Sequence, residues 1–306
     1  MPKIVNNHAD YAIRVKNAAI IATSVAILLF TSKLIVWWMT GSVTILAGLL
    51  DSLVDISASG LNLLVLRFAL LPADDDHSFG HGKAESLAAL AQGMFILGSA
   101  VFLMLNGIQN FISPNPIKNL SLGIIVIIFS LITTLFLVTY QRWVYKTTQS
   151  QAIRADMLHY QTDILMNFAI LIALILSHFG VLRADAIFAI FISLYIGYHA
   201  IKIGYEAIQM LLDRALPIEE QEKILAIAVN IPGVLGAHDL KTRRVGLTRF
   251  IQMHIEMHDH LPLVEAHAIT DNVEKAILIA YPTAEILLHQ DPHSAVALEN
   301  QAKKHL

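Results

Sequence analysis

Two short stretches of this chain set its chemical question. "LLDSLVD" places Asp51 and Asp55 four residues apart, and "LHYQTD" places His159 and Asp163 at the same spacing, each in a helix-patterned apolar segment. On a helix, i and i+4 side chains share one face, roughly 6 Å apart. Two such pairs facing each other offer four oxygen or nitrogen donors, the number a tetrahedral Zn²⁺ takes. An ionised side chain at mid-membrane costs on the order of 2.5–3.5 kcal/mol, so three carboxylates there cost roughly 8–10 kcal/mol without compensation. A divalent cation or bound protons would neutralise them. An interhelical hydrogen-bonding cluster is the plainer explanation, and it accounts for a single aspartate better than for two matched pairs.

Two further groups carry metal-ligand chemistry. Asp74, His77 and His81 lie in "PADDDHSFGHGKAES", which joins two apolar segments. A solvated acidic loop capping the next helix explains these residues at least as well as a metal does. Near the C-terminus stand His238, His254, His267, His289 and Asp291. Two fall on the strands of an expected hairpin, one on the following helix and two at the end of the last strand. Their convergence on one patch, with Asp291 bridging two ions, suits Zn²⁺, although each histidine alone reads as an ordinary surface residue. His258, His260, His293 and His305 are left in that ordinary class.

Other signals are weaker. Lys33 in the first apolar segment is expected to snorkel or pair, and "HADYAIRVK" is expected to be an amphipathic interfacial lead-in. No HExxH, GxSxG or Walker pattern is present, which argues against an enzyme.

The elements that must position these residues follow from composition. The 306 residues are 56% hydrophobic and only 15% charged, with a mean hydropathy of +0.60. That is the balance of a membrane protein with some soluble part. A formal net charge of −3 gives no reason to expect a nucleic-acid partner, and zero cysteines exclude disulfides and thiolate metal sites. Metal chemistry must therefore use carboxylates and the 14 histidines. A bilayer core needs about 20 mostly apolar residues per helix. Six segments meet that demand: 15–38, 43–70, 83–112, 119–142, 152–180 and 184–211. The N-terminus lacks a cleavage signature and is read as leading into the first span.

Orientation follows the basic residues of the short loops. Lys3, Arg14, Lys16, Arg67, Lys83, Arg142, Lys146, Arg154 and Arg214 fall on one side, and only Lys118 and Arg183 on the other. Both termini are expected in the cytoplasm. The expected organisation is a transmembrane domain over 1–212, a cytoplasmic metal-binding domain over 213–295 and a tail over 296–306. The C-terminal part reads helix, strand, strand, helix, strand. "PIEEQEKILAIAVN" is acidic in its first turn and stops before Pro232. "VLGAHDLKTRRV" and "RFIQMHIEMH" alternate around "GL" as a hairpin. A helical "LPLVEAHAITDNVEKAILIAY" and a closing strand "AEILLHQD" complete it.

With these motifs in place, "LLDSLVD", "DDDHSFGHGKAESLAAL", "ADMLHYQTD" and "LLDRALP" together resemble the bacterial cation diffusion facilitators, in particular their zinc and ferrous-iron efflux branch. The resemblance covers roughly residues 10 to 295. It implies a homodimer of six-span all-α protomers in the bacterial inner membrane, each with a ferredoxin-like, metallochaperone-like α/β cytoplasmic domain that forms much of the dimer contact. Carried over by position, Asp51, Asp55, His159 and Asp163 are the transport site. Asp74, His77 and His81 are a loop site, and His238, His254, His267, His289 and Asp291 a binuclear cytoplasmic site. Lys83 and Asp213 match a charge pair that interlocks the membrane part with the cytoplasmic domain.

The activity this implies is proton-coupled antiport, exporting Zn²⁺ and also Cd²⁺ and Fe²⁺ from the cytoplasm. Metal and proton compete for the same lone pairs, and the ordinary pKa of a histidine lets either win near neutrality. Hard Mg²⁺ and Ca²⁺ suit the mixed donor set less well. Two readings of another class use the same residues: a divalent-cation channel, which needs no proton counter-movement, and a membrane-anchored zinc sensor, for which the intramembrane quartet is dispensable.

Overall fold

The computed structural model describes residues 7–40, 43–113, 121–178 and 184–296. Within its helices the side chains of 40, 43–47, 50, 51, 121–124, 170, 173–175, 177, 178, 184 and 185 are not described. Two compact units are present among the described residues, one spanning 12–208 and one containing 209–296.

The first unit is helical. Its elements are α1 (His8–Thr40), α2 (Val43–Ala69), α3 (Lys83–Ile112), α4 (Ser121–Thr148), α5 (Gln151–His178) and α6 (Ala184–Leu211). Among the described residues, five candidate spans qualify by length and composition, in α1, α2, α3, α4 and α6. The described part of α5 carries Arg154, Asp156, His159 and Asp163 in its first half, and several side chains of its apolar second half lie outside the described residues. The lead-in "HADYAIRVK" continues directly into α1 rather than forming a separate element, and α4 runs on to Thr148. Large apolar side chains such as Trp38, Phe102, Phe136 and Phe191 are exposed, as on helices whose solvent is lipid.

Small residues let these helices approach. Ala89, Ile96 and Ala100 of α3 pack with Ala155 and Leu158 of α5 and with Ile196, Ala200, Ile203 and Ala207 of α6. At Gly107 of α3, a Cβ would stand 3.0 Å from Ile190 Cγ1 and 3.2 Å from Ala186 O of α6, so only glycine fits without a shift. α5 packs against α2, α3 and α4. Lys33, expected to snorkel or pair, pairs. Its Nζ donates to Gly48 O at 3.1 Å and to Ser52 Oγ at 2.7 Å, tying α1 to α2.

The second unit contains α7 (Ile218–Val229), β1 (Gly236–Val245), β2 (Thr248–Met257), α8 (Leu263–Ala280) and β3 (Ala284–Pro292). Glu219 and Glu220 of α7 and Glu265 of α8 occupy first turns, where the helix dipole favours anions. The β1–β2 hairpin turns through Gly246 and Leu247, with Gly246 at φ 58, the positive value a two-residue hairpin turn requires. β2 and β3 pair in parallel, which needs a long crossover, and α8 supplies it. The sheet order β1-β2-β3 with both helices matches the ferredoxin-like expectation.

Alternation divides the two faces of this sheet. Ile251, Met253, Ile255 and Met257 of β2 are buried with Ile224 and Ala228 of α7 and Val273 and Ile277 of α8. His254 and Glu256 therefore point to the opposite, open face.

Candidate metal centres

In the membrane unit, three of the four expected residues converge. His159 Nε2 lies 3.1 Å from Asp55 Oδ1, and ligand atoms of Asp55, His159 and Asp163 all fall within 4.8 Å of one another. A tetrahedral ion with bonds of about 2.0–2.2 Å holds its ligand atoms roughly 3.3–3.6 Å apart, so small side-chain rotations suffice to close this set on a cation. Asp51 occupies α2 one turn before Asp55, and its side chain lies outside the described residues.

Hydrogen bonds beneath the cluster fix the helices that carry it. Ser59 Oγ and Tyr160 Oη lie 2.8 Å apart, Tyr160 Oη donates to Ala22 O at 3.2 Å, and Thr23 Oγ1 donates to Ser59 O at 3.3 Å. α1, α2 and α5 are thereby joined at one buried point. Asp156, one turn before His159, is fully buried; Gln92 Nε2 of α3 donates to one of its oxygens at 3.0 Å and Gln141 Nε2 of α4 to the other at 2.7 Å. Sequence reasoning passed over this aspartate although it stands inside the quoted motif. Its signal was the same intramembrane cost that singled out Asp51 and Asp55.

The loop residues also meet. Asp74 Oδ1 accepts the backbone N–H of His77 at 2.6 Å, and Asp74 Oδ2 lies 3.3 Å from His81 Nε2. His81 Nδ1 lies 3.2 Å from Pro72 O; donation there leaves Nε2 as the lone pair facing Asp74. The His81 side chain is buried against Phe68, with ring centroids 4.5 Å apart, whereas Asp74 and His77 are exposed. The His77 N–H holds the Asp74 carboxyl below the usual carboxylate range, helped by the two imidazoles.

In the C-terminal unit, His238, His254 and His289 form one row across β1, β2 and β3. Asp291 lies between them. Its Oδ2 is 2.7 Å from His254 Nδ1 and 3.4 Å from His238 Nε2, and its Oδ1 is 3.2 Å from His289 Nε2. One oxygen on each side suits a carboxylate shared by two cations. A β-bulge between His238 and Lys241, with Asp239 at φ 48, re-aims this part of β1.

His267 is not brought to this cluster within one chain. It sits on α8, which covers the buried face of the sheet, while the histidine row lies on the open face. Its side chain is 70% exposed, with Nε2 3.7 Å from Asp271 Oδ1. Lys83 is the first residue of α3. Asp213 has φ 57, and Arg243 Nη1 donates to its Oδ2 at 3.0 Å. Glu256, which sequence reasoning also missed, lies beside His238. Its signal was register, two residues beyond His254 on an alternating strand.

Comparison with known proteins addresses the whole chain. Residues 19–212 match the family model of the cation efflux transmembrane domain, and residues 216–293 that of the cation efflux protein cytoplasmic domain. The cation-efflux pump FieF of Shigella flexneri serotype 5b (strain 8401) is 60% identical over 292 residues, covering 95% of this chain and 97% of that protein. FieF of Escherichia coli (strain K12 / DH10B) matches with the same identity and coverage. A solved structure of the putative zinc transporter CzrB, in a Zn form, is 35% identical over 27% of this chain and 94% of that chain, at a TM-score of 0.25. At that score it adds nothing to the assignment. The two family models, matched in order along one apolar chain, decide it: this multi-pass membrane protein belongs to the cation efflux family.

Proposed function

We propose that this protein is a proton-coupled antiporter that exports divalent transition-metal cations, Zn²⁺ foremost and Cd²⁺ and Fe²⁺ with it, from the cytoplasm. The observation that carries the reading is the meeting of Asp55, His159 and Asp163 between α2 and α5, inside helices apolar enough to reside in lipid. With Asp51, these residues form the transport site. Such a site alternates between metal and protons, because each lone pair that binds one must release the other. Exchange of bound metal for protons on the far side then couples export to proton entry.

The remaining assignments follow the family. The protein works as a homodimer in the bacterial inner membrane, with both termini cytoplasmic and a domain boundary at 212–213. The basic bias of the loops supports that orientation. Asp74, His77 and His81 form a loop metal site. His238, His254, His289 and Asp291 form a regulatory metal site in the cytoplasmic domain, which His267, not brought to it within one chain, joins only in the homodimer.

The test is metal flux into proteoliposomes that hold a pH-sensitive dye. Zn²⁺ movement that needs a pH gradient and shifts the internal dye supports antiport, and competition among Zn²⁺, Cd²⁺ and Fe²⁺ ranks the substrates. Flux that is indifferent to the gradient would identify a channel instead.

A further inference from the structure

The open face of the C-terminal sheet carries two adjacent rungs. His238, His254 and His289 form one; Gly236, Glu256 and Asp291 form the other, across the same three strands. The His238 ring spans two carboxylates. Its Nε2 lies 3.4 Å from Asp291 Oδ2 and its Nδ1 3.1 Å from Glu256 Oε1. The Glu256 side chain is only 16% exposed, and its second oxygen lies 3.3 Å from His293 Nδ1. Gly236, directly opposite in the ladder, makes room for it: a Cβ there would stand 2.8 Å from Glu256 Oε1 and 2.9 Å from its Cδ.

We infer that Glu256 is a positioning residue for metal ligation by His238, with Gly236 providing its space and His293 its second anchor. The inference rests on the reading of His238, His254 and Asp291 as metal ligands. A neutral imidazole has two tautomers, and only a nitrogen without hydrogen can ligate. A carboxylate that accepts the Nδ1–H fixes the ring's orientation, keeps the Nε2 lone pair on the Asp291 side and raises its basicity. His238 is the last β1 residue paired in register before the bulge, so the regular ladder supports it on one side only.

Zn²⁺ titration calorimetry on the full chain in detergent micelles tests this, in a background of Asp55→Asn and His81→Ala that weakens the other two clusters. His254→Ala must lower the remaining binding; if it does not, the cluster is no metal site and the underlying reading fails independently of Glu256. Given that loss, Glu256→Ala is expected to weaken binding about 10–100-fold. Gly236→Ala should weaken it too, and Glu256→Gln, which keeps an acceptor oxygen, should recover part of the affinity. In a His238→Ala chain, Glu256→Ala should change nothing further. Unaltered affinity in Glu256→Ala, or an equal fall with and without His238, overturns the inference. So does a drop in the melting temperature of the metal-free Glu256→Ala chain large enough to account for the lost affinity.

Discussion

His159 Nε2 meets Asp55 Oδ1 at 3.1 Å across 104 residues of sequence. That contact links α2 to α5 at the point where each helix carries a further carboxylate one turn away, Asp51 before Asp55 and Asp163 after His159. A like-charged group of this kind inside lipid is tolerable only with a positive partner, whether metal or proton.

Removing either side of this contact should stop transport without unfolding the protein. Asp55→Ala and His159→Ala are expected to reduce Zn²⁺ flux in proteoliposomes to the level of empty vesicles, while the melting temperature in detergent stays near that of the parent. Flux at the parent rate in either variant would remove these residues from the transport site.

Tyr160 is expected to matter for stability rather than for metal. Its hydroxyl is buried between Ser59 Oγ and Ala22 O. Interhelical hydrogen bonds in membranes contribute about 0.6–2 kcal/mol, so Tyr160→Phe should destabilise the helical unit by about that much. Equilibrium unfolding in mixed micelles measures it, and a full complement of bound Zn²⁺ at saturation would show that the effect is not on ligation.

The C-terminal unit depends on its apolar face. Ile251 is fully buried between the sheet and its two helices. Truncation of such a side chain removes transfer free energy and leaves a cavity, so Ile251→Ala should destabilise this unit by about 2–5 kcal/mol. Denaturant titration followed by far-ultraviolet circular dichroism should resolve the change. A loss below half a kilocalorie per mole, on the order of a surface substitution, would contradict the packing described.

Acid should loosen the segment after β3. Asp259 Oδ1 accepts the backbone N–H of Ser294 at 2.9 Å, and this bond holds its carboxyl below the usual range, with His260 and His293 adding to the effect. A group whose folded pKa is depressed contributes fully above its unfolded value, about 3.9 for Asp. That contribution is lost as pH falls through the lower folded value. The protection factor of the Ser294 amide should therefore hold near pH 5 and decline below about pH 4, and Asp259→Ala should show the low value at both.

Much of this protein is legible in the order of its residues. Apolar runs long enough for lipid marked six helices, because no other backbone arrangement except a closed barrel satisfies itself there. Alternation in "RFIQMHIEMH" placed His254 on one strand face, since side chains of a strand change sides at every residue. Spacing alone put Asp51 with Asp55 and His159 with Asp163 on common helix faces, and the motifs pointed to the family that the matched models then established.

Tertiary structure decided which of those faces meet. Nothing in the spacing of "LLDSLVD" says that Asp55 touches His159; that depends on how α2 lies along α5. The burial of Asp156 between Gln92 and Gln141 joins three helices, and no local pattern encodes such a meeting. His267 was grouped with the other histidines by type, yet α8 lies on the side of the sheet away from them, so one chain cannot bring it in. Glu256 was passed over for the converse reason: its role comes from the empty space above Gly236 and from the register that sets it beside His238. Residue type and period determine what a side chain can do and which way it faces. Packing between distant elements determines what it faces, because those contacts depend on helix placement and strand register at once.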